Sequence, residues 1–354
     1  MGLTQSQRAM IAKARSVGGS KQGVALDDEV SAYLVGVIAR DLGLLSEFPE
    51  VPDSLPPFFG PQALKTLRLP TPTFLGLFER LVTTDPNADT YFACLATLHK
   101  ARLKYQRILQ TQPVPTIDQV GPRGLLQYGS LHPRALTPFI LWRKWMFDID
   151  NRAGQEAGYV FEPIIAYAVG GVPVSATKSP VKRMSDPRKG RQVDCIRDDR
   201  AHEFKLRVTI AASGQGRWGE ELDFPDDCKA SGYIPILVVL DPTANPKLIE
   251  LSKKFIAAGG EVFVGTEAWT YLKSLAGPTM SRFLDEYVHR PVQALLEHIP
   301  SPEELPEMTL KMESGRFTAT LLGETLTVSR TPGSQSEADT QEMPEDVEDQ
   351  IPGP

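Results

Sequence analysis

The chain has 354 residues, 41% hydrophobic and 23% charged, enough for a sizeable core and one or two domains of an ordinary globular protein. No apolar run approaches the ~20 residues that span a bilayer, Met1 to Met10 has no signal-peptide core, and Cys94, Cys195 and Cys228 are too scattered for a metal site or a disulfide framework. These features exclude a membrane protein and predict a cytoplasmic one with buried free thiols. The net charge of −6 argues only superficially against nucleic acid, because residues 331–354 carry seven acids and no Lys or Arg, which leaves 38 basic and 37 acidic residues in 1–330.

In chain order, helical periodicity is read at Gln5–Ala14, Asp27–Leu45, Thr71–Val82 and Ala88–Leu109, with a Pro-rich loop at Glu50–Pro61. Residues 1–112 therefore form a mostly helical N-terminal region, either a scaffold or a source of dimer and DNA contacts. Thr111–Pro133 reads as a Gly/Pro-rich connection. Two helical stretches follow, Leu136–Arg152 and a second over Gly158–Gly171, with Pro163 in its first turn and Gly170–Gly171 as its stop. A catalytic domain is expected over 113–300. Its later part alternates a helix at Trp218–Gly232, a buried strand at Ile236–Leu240, a helix at Asn245–Ala258, a strand at Glu261–Gly265 and a helix at Glu267–Leu275. Pro278–His298 adds a helical pattern split at Pro291. Such alternation argues for an α/β sheet flanked by helices. Residues 301–330 form a C-terminal hairpin turning at Gly323–Glu324, and 331–354 a disordered acidic tail. The tail is either solubilising or a mimic of DNA.

The chemistry concentrates in Arg191–Lys205, two strands about a polar turn at Asp198–Asp199, where Asp tolerates a left-handed backbone. With a two-residue loop, residues whose numbers sum to 397 face each other. Asp194 then lies opposite Glu203, and Lys205 projects from the same face. Opposed carboxylates repel, and a divalent cation makes the pair useful by removing the repulsion. Phe204 and Leu206, with Val193 and Cys195, form the apolar face, while Ile196 and His202 break the alternation. Residues 178–217 hold eleven Lys or Arg and five Asp or Glu, a basic stripe suited to phosphates unless it is only a solvated surface. Candidate phosphate contacts are Lys182, Arg183, Arg188, Lys189, Arg191 and Arg207. Gln215 and Arg217, in the loop Ser213–Trp218, have the donor geometry that reads base edges.

Asp194, eight intervening residues, then Glu203-Phe204-Lys205 resembles the active-site signature of the PD-(D/E)xK nucleases, with Val193 where the name has Pro. The run from Glu203 through Trp218 and Asp227 to Thr243 is similar to the ApaLI-like type II restriction endonucleases. The resemblance spans roughly Gly158 to Phe263. It implies a PD-(D/E)xK-type mixed sheet, Mg2+ held by Asp194, Glu203 and the Phe204 carbonyl, and Lys205 placing and helping to deprotonate the attacking water. It also implies that Glu162, on the helix before the hairpin, completes the metal site, although a first-turn Glu is favoured by the helix dipole alone. A palindromic double-stranded DNA target of the GTGCAC type, a homodimer and a cognate methyltransferase follow from the same resemblance. Three other readings stay open: a repair or structure-specific nuclease of the same fold, a non-catalytic DNA-binding protein, and, least supported for want of a phosphate-loop fingerprint, a nucleotide-binding oxidoreductase.

Overall fold

A computed structural model describes residues 2–18, 23–60, 62–70, 74–206, 215–301 and 304–331, without the side chains of residues 155 and 215–217. The acidic tail from residue 332 and the candidate contact Arg207 lie outside these residues.

The first four helices are α1 (Gln5–Arg15), α2 (Asp28–Asp41), α3 (Phe74–Thr84) and α4 (Ala88–Thr111). The start of α1 is fixed by Thr4, whose side chain accepts from Gln7 N–H while the Gln7 side chain accepts from Thr4 N–H. Asp27 caps α2 by accepting from Val30 N–H. The α2 run Ala32–Ala39 is buried on every side, which explains why it carries no polar face.

Two helices differ from the sequence reading. The expected connection 111–133 contains α5 (Ile117–Tyr128), which tolerates Pro122 because Gly124 lets it pack closely on Ile140 of the next helix. The two stretches expected at 136–152 and 158–171 are one helix, α6 (Pro133–Ala168). Pro163 does not break it, although a proline there removes the helical donor to the Tyr159 carbonyl. The helix stops where predicted, at Gly170 with φ 74°.

The central sheet uses β1 (Val172–Val174), β4 (Val193–Arg197), β5 (Arg200–Lys205), β6 (Ile234–Val239) and β7 (Glu261–Val264), in the order β1-β4-β5-β6-β7. Between β1 and β4 a small separate ribbon pairs β2 (Lys182–Arg183) with β3 (Asp186–Gly190). The β1–β4 and β4–β5 pairs are antiparallel and the β5–β6 and β6–β7 pairs parallel. The parallel steps run through α7 (Gln215–Ala230) and α8 (Pro246–Ala257). Then come α9 (Thr266–Leu284), kinked at Gly277, a π-helical turn at Asp285–His289 and α10 (Arg290–Leu296). Gln215–Trp218, expected in a loop, form the first turn of α7.

The two faces of the sheet carry different cores. Cys195, Phe204, Ile236 and Val238 join α2–α4, α6 and α9 in the larger cluster. Ala201, Leu237 and Val239 pack with Phe224 and Cys228 of α7 and Leu251 and Phe255 of α8. The sheet is thus buried on both faces, as its continuous apolar run Ile236–Val239 requires. The expected C-terminal hairpin is a three-stranded meander, β8 (Met308–Glu313), β9 (Arg316–Leu321) and β10 (Glu324–Ser329). A second turn at Gly315 (φ 82°) makes the third strand, and Phe317 and Val328 seat the meander against Trp145 of α6. All three cysteines are free and buried. Among the described residues no helix is long and apolar enough to cross a membrane.

Candidate active site

The β4–β5 hairpin has the predicted register, with Cys195 opposite His202, Ile196 opposite Ala201 and Arg197 opposite Arg200. Asp198 takes the left-handed conformation at φ 54°. The ladder stops short of Asp194, however, because the β1–β4 pairing shifts register between Val172–Ile196 and Val174–Val193. This irregularity sends Val193 into the α7–α8 cluster and not, as expected, to the face of Cys195. It also leaves the Asp194 side chain to make the contact with β5: Oδ2 accepts the Phe204 N–H at 2.8 Å.

One residue on from this contact, the Lys205 ammonium donates to Glu203 Oε1 at 2.7 Å and lies 3.7 Å from Glu221 Oε1 of α7. Both members of the closer pair are largely covered, with side chains 19% and 18% exposed. Glu162 of α6 belongs to the same group. Burial, then Glu203, push its carboxyl up to about 7 against the opposing pull of Lys205. Asp194 is raised well above the usual carboxylate range by burial and by Glu203 and Glu162. Burial alone would lower Lys205, but Glu203, Glu221 and Asp194 outweigh it and hold the ammonium above its ordinary value. Lys205 is therefore a fixed cation at neutral pH.

These groups line a cleft of about 1370 Å³ at the carboxyl ends of the parallel strands, where the chain leaves β5 at Leu206, β6 at Leu240–Pro242 and β7 at Gly265–Thr266. That is where open α/β sheets place their sites, because diverging connections leave a crevice. The opposite wall comes from Tyr159 and Glu162 of α6 and from Val288 and His289 of the π turn. Helix α6 approaches the crevice through glycine: a Cβ on Gly158 would lie 3.1 Å from Glu162 Oε1. His202, the apparent break in the apolar pattern, is fully buried and satisfied, with Nδ1 at 3.2 Å from the Cys195 carbonyl and Nε2 at 2.8 Å from the Tyr271 hydroxyl.

The candidate DNA contacts separate into groups. Arg188 and Lys189 stand on the outer strand of the β2–β3 ribbon beside Asp186, and the Arg188 side chain is 91% exposed. Lys182 donates to the Ser179 carbonyl at 2.7 Å, and Arg183 pairs with Glu220 of α7 at 2.8 Å. Arg191 is buried and gives two hydrogen bonds to Asp227 Oδ2 and one, at 2.9 Å, to the Glu220 carbonyl. It locks the approach to β4 onto α7, since a buried guanidinium needs a carboxylate partner, and it also lines the cleft. The side chains of Gln215 and Arg217 are outside the described residues.

Sequence reasoning missed Glu221. The signal was available: Glu221, Phe224 and Cys228 fall at i, i+3 and i+7, so an acid continues the apolar stripe that α7 turns to the sheet.

The donors fit a hard divalent cation in type, being carboxylates with a main-chain carbonyl nearby, and in charge, since burial and then the neighbouring carboxylates disfavour the bare anions of Glu162 and Asp194. Among the described residues no three His, Cys, Asp or Glu side chains are already gathered closely enough to enclose an ion. Lys205 instead supplies the counter-charge to Glu203.

The mixed sheet thus sets acidic side chains and a lysine in a crevice at its strand ends, a set of groups suited to divalent-cation and phosphodiester chemistry. A family model for ApaLI-like restriction endonucleases matches residues 74–289, which include Glu162, Asp194, Glu203 and Lys205. Over 281 residues the chain is 44% identical to the Type II restriction enzyme ApaLI of Acetobacter pasteurianus, covering 75% of each sequence. The chain belongs to the ApaLI-like restriction endonuclease family. No solved structure matches it.

Proposed function

We propose that this type II restriction endonuclease hydrolyses phosphodiesters of double-stranded DNA at a short palindromic site of the GTGCAC type, with Mg2+ bound by Asp194, Glu203 and the Phe204 carbonyl. The observation that carries the reading is that Asp194, Glu203, Glu162 and Lys205 line one strand-end cleft, with the Lys205 ammonium 2.7 Å from Glu203 Oε1. When bound, the cation lowers the pKa of water and neutralises charge on the phosphoryl oxygens. Asp194 is held in place for this by the Phe204 N–H, and Glu203 by Lys205.

Lys205, protonated, donates a hydrogen bond to the attacking water and favours negative charge developing beside it. Glu162 faces this group from α6 and orients the water from the other side. Attack in line with the leaving oxygen forms one P–O bond as the opposite one breaks, the water losing a proton to solvent and the leaving oxygen taking one up. Arg188 and Lys189, on the ribbon beside the cleft, take phosphates, together with Lys182, Arg183 and Arg207, while Gln215 and Arg217 read base edges from the start of α7. Cutting both strands of a palindrome requires two clefts, hence a homodimer, and a methyltransferase of the same specificity protects the host's own sites.

The test is incubation with long, sequenced, unmethylated DNA in Mg2+ or in EDTA, beside Glu203→Gln. Discrete fragments that need Mg2+ and vanish in the variant are expected, and their ends give the site. A smear or nicks without defined ends would replace site-specific cleavage by a structure-specific nuclease, and intact DNA under every divalent metal would overturn the mechanism.

A further inference from the structure

The strand-end cleft is not lined by polar groups alone. Phe59, from the Pro-rich segment ahead of α3, and Val292 and Leu296 of α10 also face into it. They are 40%, 46% and 48% exposed, and the hydrolysis proposed above uses none of them. A phosphate laid against such side chains would lose hydration without gaining a hydrogen bond. The parts of a duplex that suit them are base faces, which stacking covers until a base step is parted.

Phe59 is held firmly from behind. The Tyr33 hydroxyl donates to the Pro56 carbonyl at 2.8 Å, and the Gln62 side chain donates to the Pro57 carbonyl. Buried Phe58 meets Tyr287 of the π turn edge-on at 5.1 Å. Phe59 stands edge-on to Phe58 at 5.0 Å, and the Arg102 guanidinium lies 4.4 Å from the Phe58 ring and 5.0 Å from the Phe59 ring. The ring is thus in place before DNA arrives, so a contact through it loses little conformational entropy. Arg102 Nη1 is buried with no hydrogen-bond partner among the described residues, and burial pushes the group down to about 10, which leaves it a cation at neutral pH. This charge, cradled by aromatic faces behind Phe59, favours a polyanion in the cleft.

We infer that Phe59 is a wedge that enters one base step of the bound duplex, with Val292 and Leu296 against the parted bases. Unstacking a step costs free energy and is offset by the kinked duplex meeting more protein surface. Pyrimidine–purine steps part most easily, and a GTGCAC-type site contains two of them, TG and CA. Phe59 therefore adds sequence preference without reading a base edge. The N-terminal region is then a source of DNA contacts as well as a scaffold. The inference rests on the proposed active site in one respect: it takes this cleft as the one that holds the duplex.

The test uses the full chain and a short duplex spanning a cut site mapped on long DNA, with 2-aminopurine replacing one adenine at a time. Ca2+ replaces Mg2+ to keep the strands uncut. Binding of the wild type raises the fluorescence at one step, as unstacking requires. Phe59→Ala loses that rise and binds roughly 10- to 100-fold more weakly, the range that alanine substitution gives for base–aromatic contacts. Phe59→Trp keeps both, and all three proteins melt together, which separates the effect from misfolding. Phe59→Ala that binds as tightly as the wild type with the same rise overturns the inference, and so does a wild type that raises the fluorescence at no position. If Glu203→Gln still cuts while Phe59→Ala loses the rise, the wedge stands and the active-site reading alone fails. If Glu203→Gln is inactive and Phe59→Ala is unchanged, the wedge alone fails. A chain that cuts no duplex takes both readings down.

Discussion

Two groups of covered carboxylates in this protein are built on opposite plans. Asp41, at the end of α2, accepts hydrogen bonds from the Tyr91 hydroxyl at 3.0 Å, from the Tyr287 hydroxyl and from the Arg40 guanidinium at 2.9 Å. Its donors outnumber it, and aromatic rings close around them, with Tyr91 edge-on to Phe283 and Tyr287 edge-on to Phe58. In the cleft the ratio is inverted: Asp194, Glu203, Glu162 and Glu221 share the ammonium of Lys205. Both regions contain buried acids near tyrosines or lysines, so burial alone does not distinguish a structural site from a chemical one. The balance of donors to acceptors does, because a satisfied carboxylate stabilises the fold, whereas a crowded one stores charge that only an added cation or substrate relieves.

The largest test of this contrast is the same substitution in both places. Asp194→Asn should lower the single-turnover cleavage rate by roughly 10³-fold or more with no loss of thermal stability, because it removes a ligand and a like charge together. Asp41→Asn should do the reverse, costing about 2–3 kcal/mol in urea unfolding while leaving the activity per folded molecule near that of the wild type. A loss of stability at Asp194 comparable to that at Asp41 would break the comparison.

The structural region also predicts a pH dependence. His99 is fully buried beside Phe58, with both ring nitrogens unbonded among the described residues, and burial with Arg102 pushes it down to about 4. The unfolded chain therefore binds a proton first as pH falls. The stability this residue contributes is complete above its ordinary pKa of about 6.5 and is lost as pH drops toward 4, to an extent of about 3 kcal/mol. Unfolding free energies measured between pH 8 and 4 should show this slope, and His99→Leu should flatten it.

In the cleft, Mg2+ at 100 times its dissociation constant should raise the unfolding free energy by about 2.7 kcal/mol, and EDTA should abolish the increment. A thermal shift that survives in Asp194→Asn would place the ion elsewhere. The smallest effect is expected at Gly158. Alanine there gains up to about 1 kcal/mol of helix propensity, yet its methyl group would press on the Glu162 carboxylate. Cleavage should fall several-fold while the melting temperature holds or rises.

Much of this was legible in the one-dimensional chain. The hairpin register followed from a two-residue turn at Asp198–Asp199, and the pairing of Cys195 with His202 bears it out. The α/β alternation after residue 215 followed from local periodicity, as did the stop of α6 at Gly170. These are short-range facts, decided by backbone preference and by the two-residue and 3.6-residue repeats. Hairpin spacing picked out Asp194, Glu203 and Lys205 and the family resemblance added Glu162, and all four line one cleft.

The remainder needed tertiary contacts. Helix α5 includes Pro122 and packs through Gly124 on Ile140, and α6 runs through Pro163 into the buried segment Ile164–Val169. Arg191 looked like its basic neighbours, but Asp227, thirty-six residues on, turned it into a buried strut. Glu221 continues the apolar stripe of α7, but that it meets Lys205 was decided by how α7 packs on the sheet. Spacing along the chain determined which residues could share a face, and the packing of helices against the sheet decided which charges meet, because burial, unlike periodicity, is a property of the neighbours.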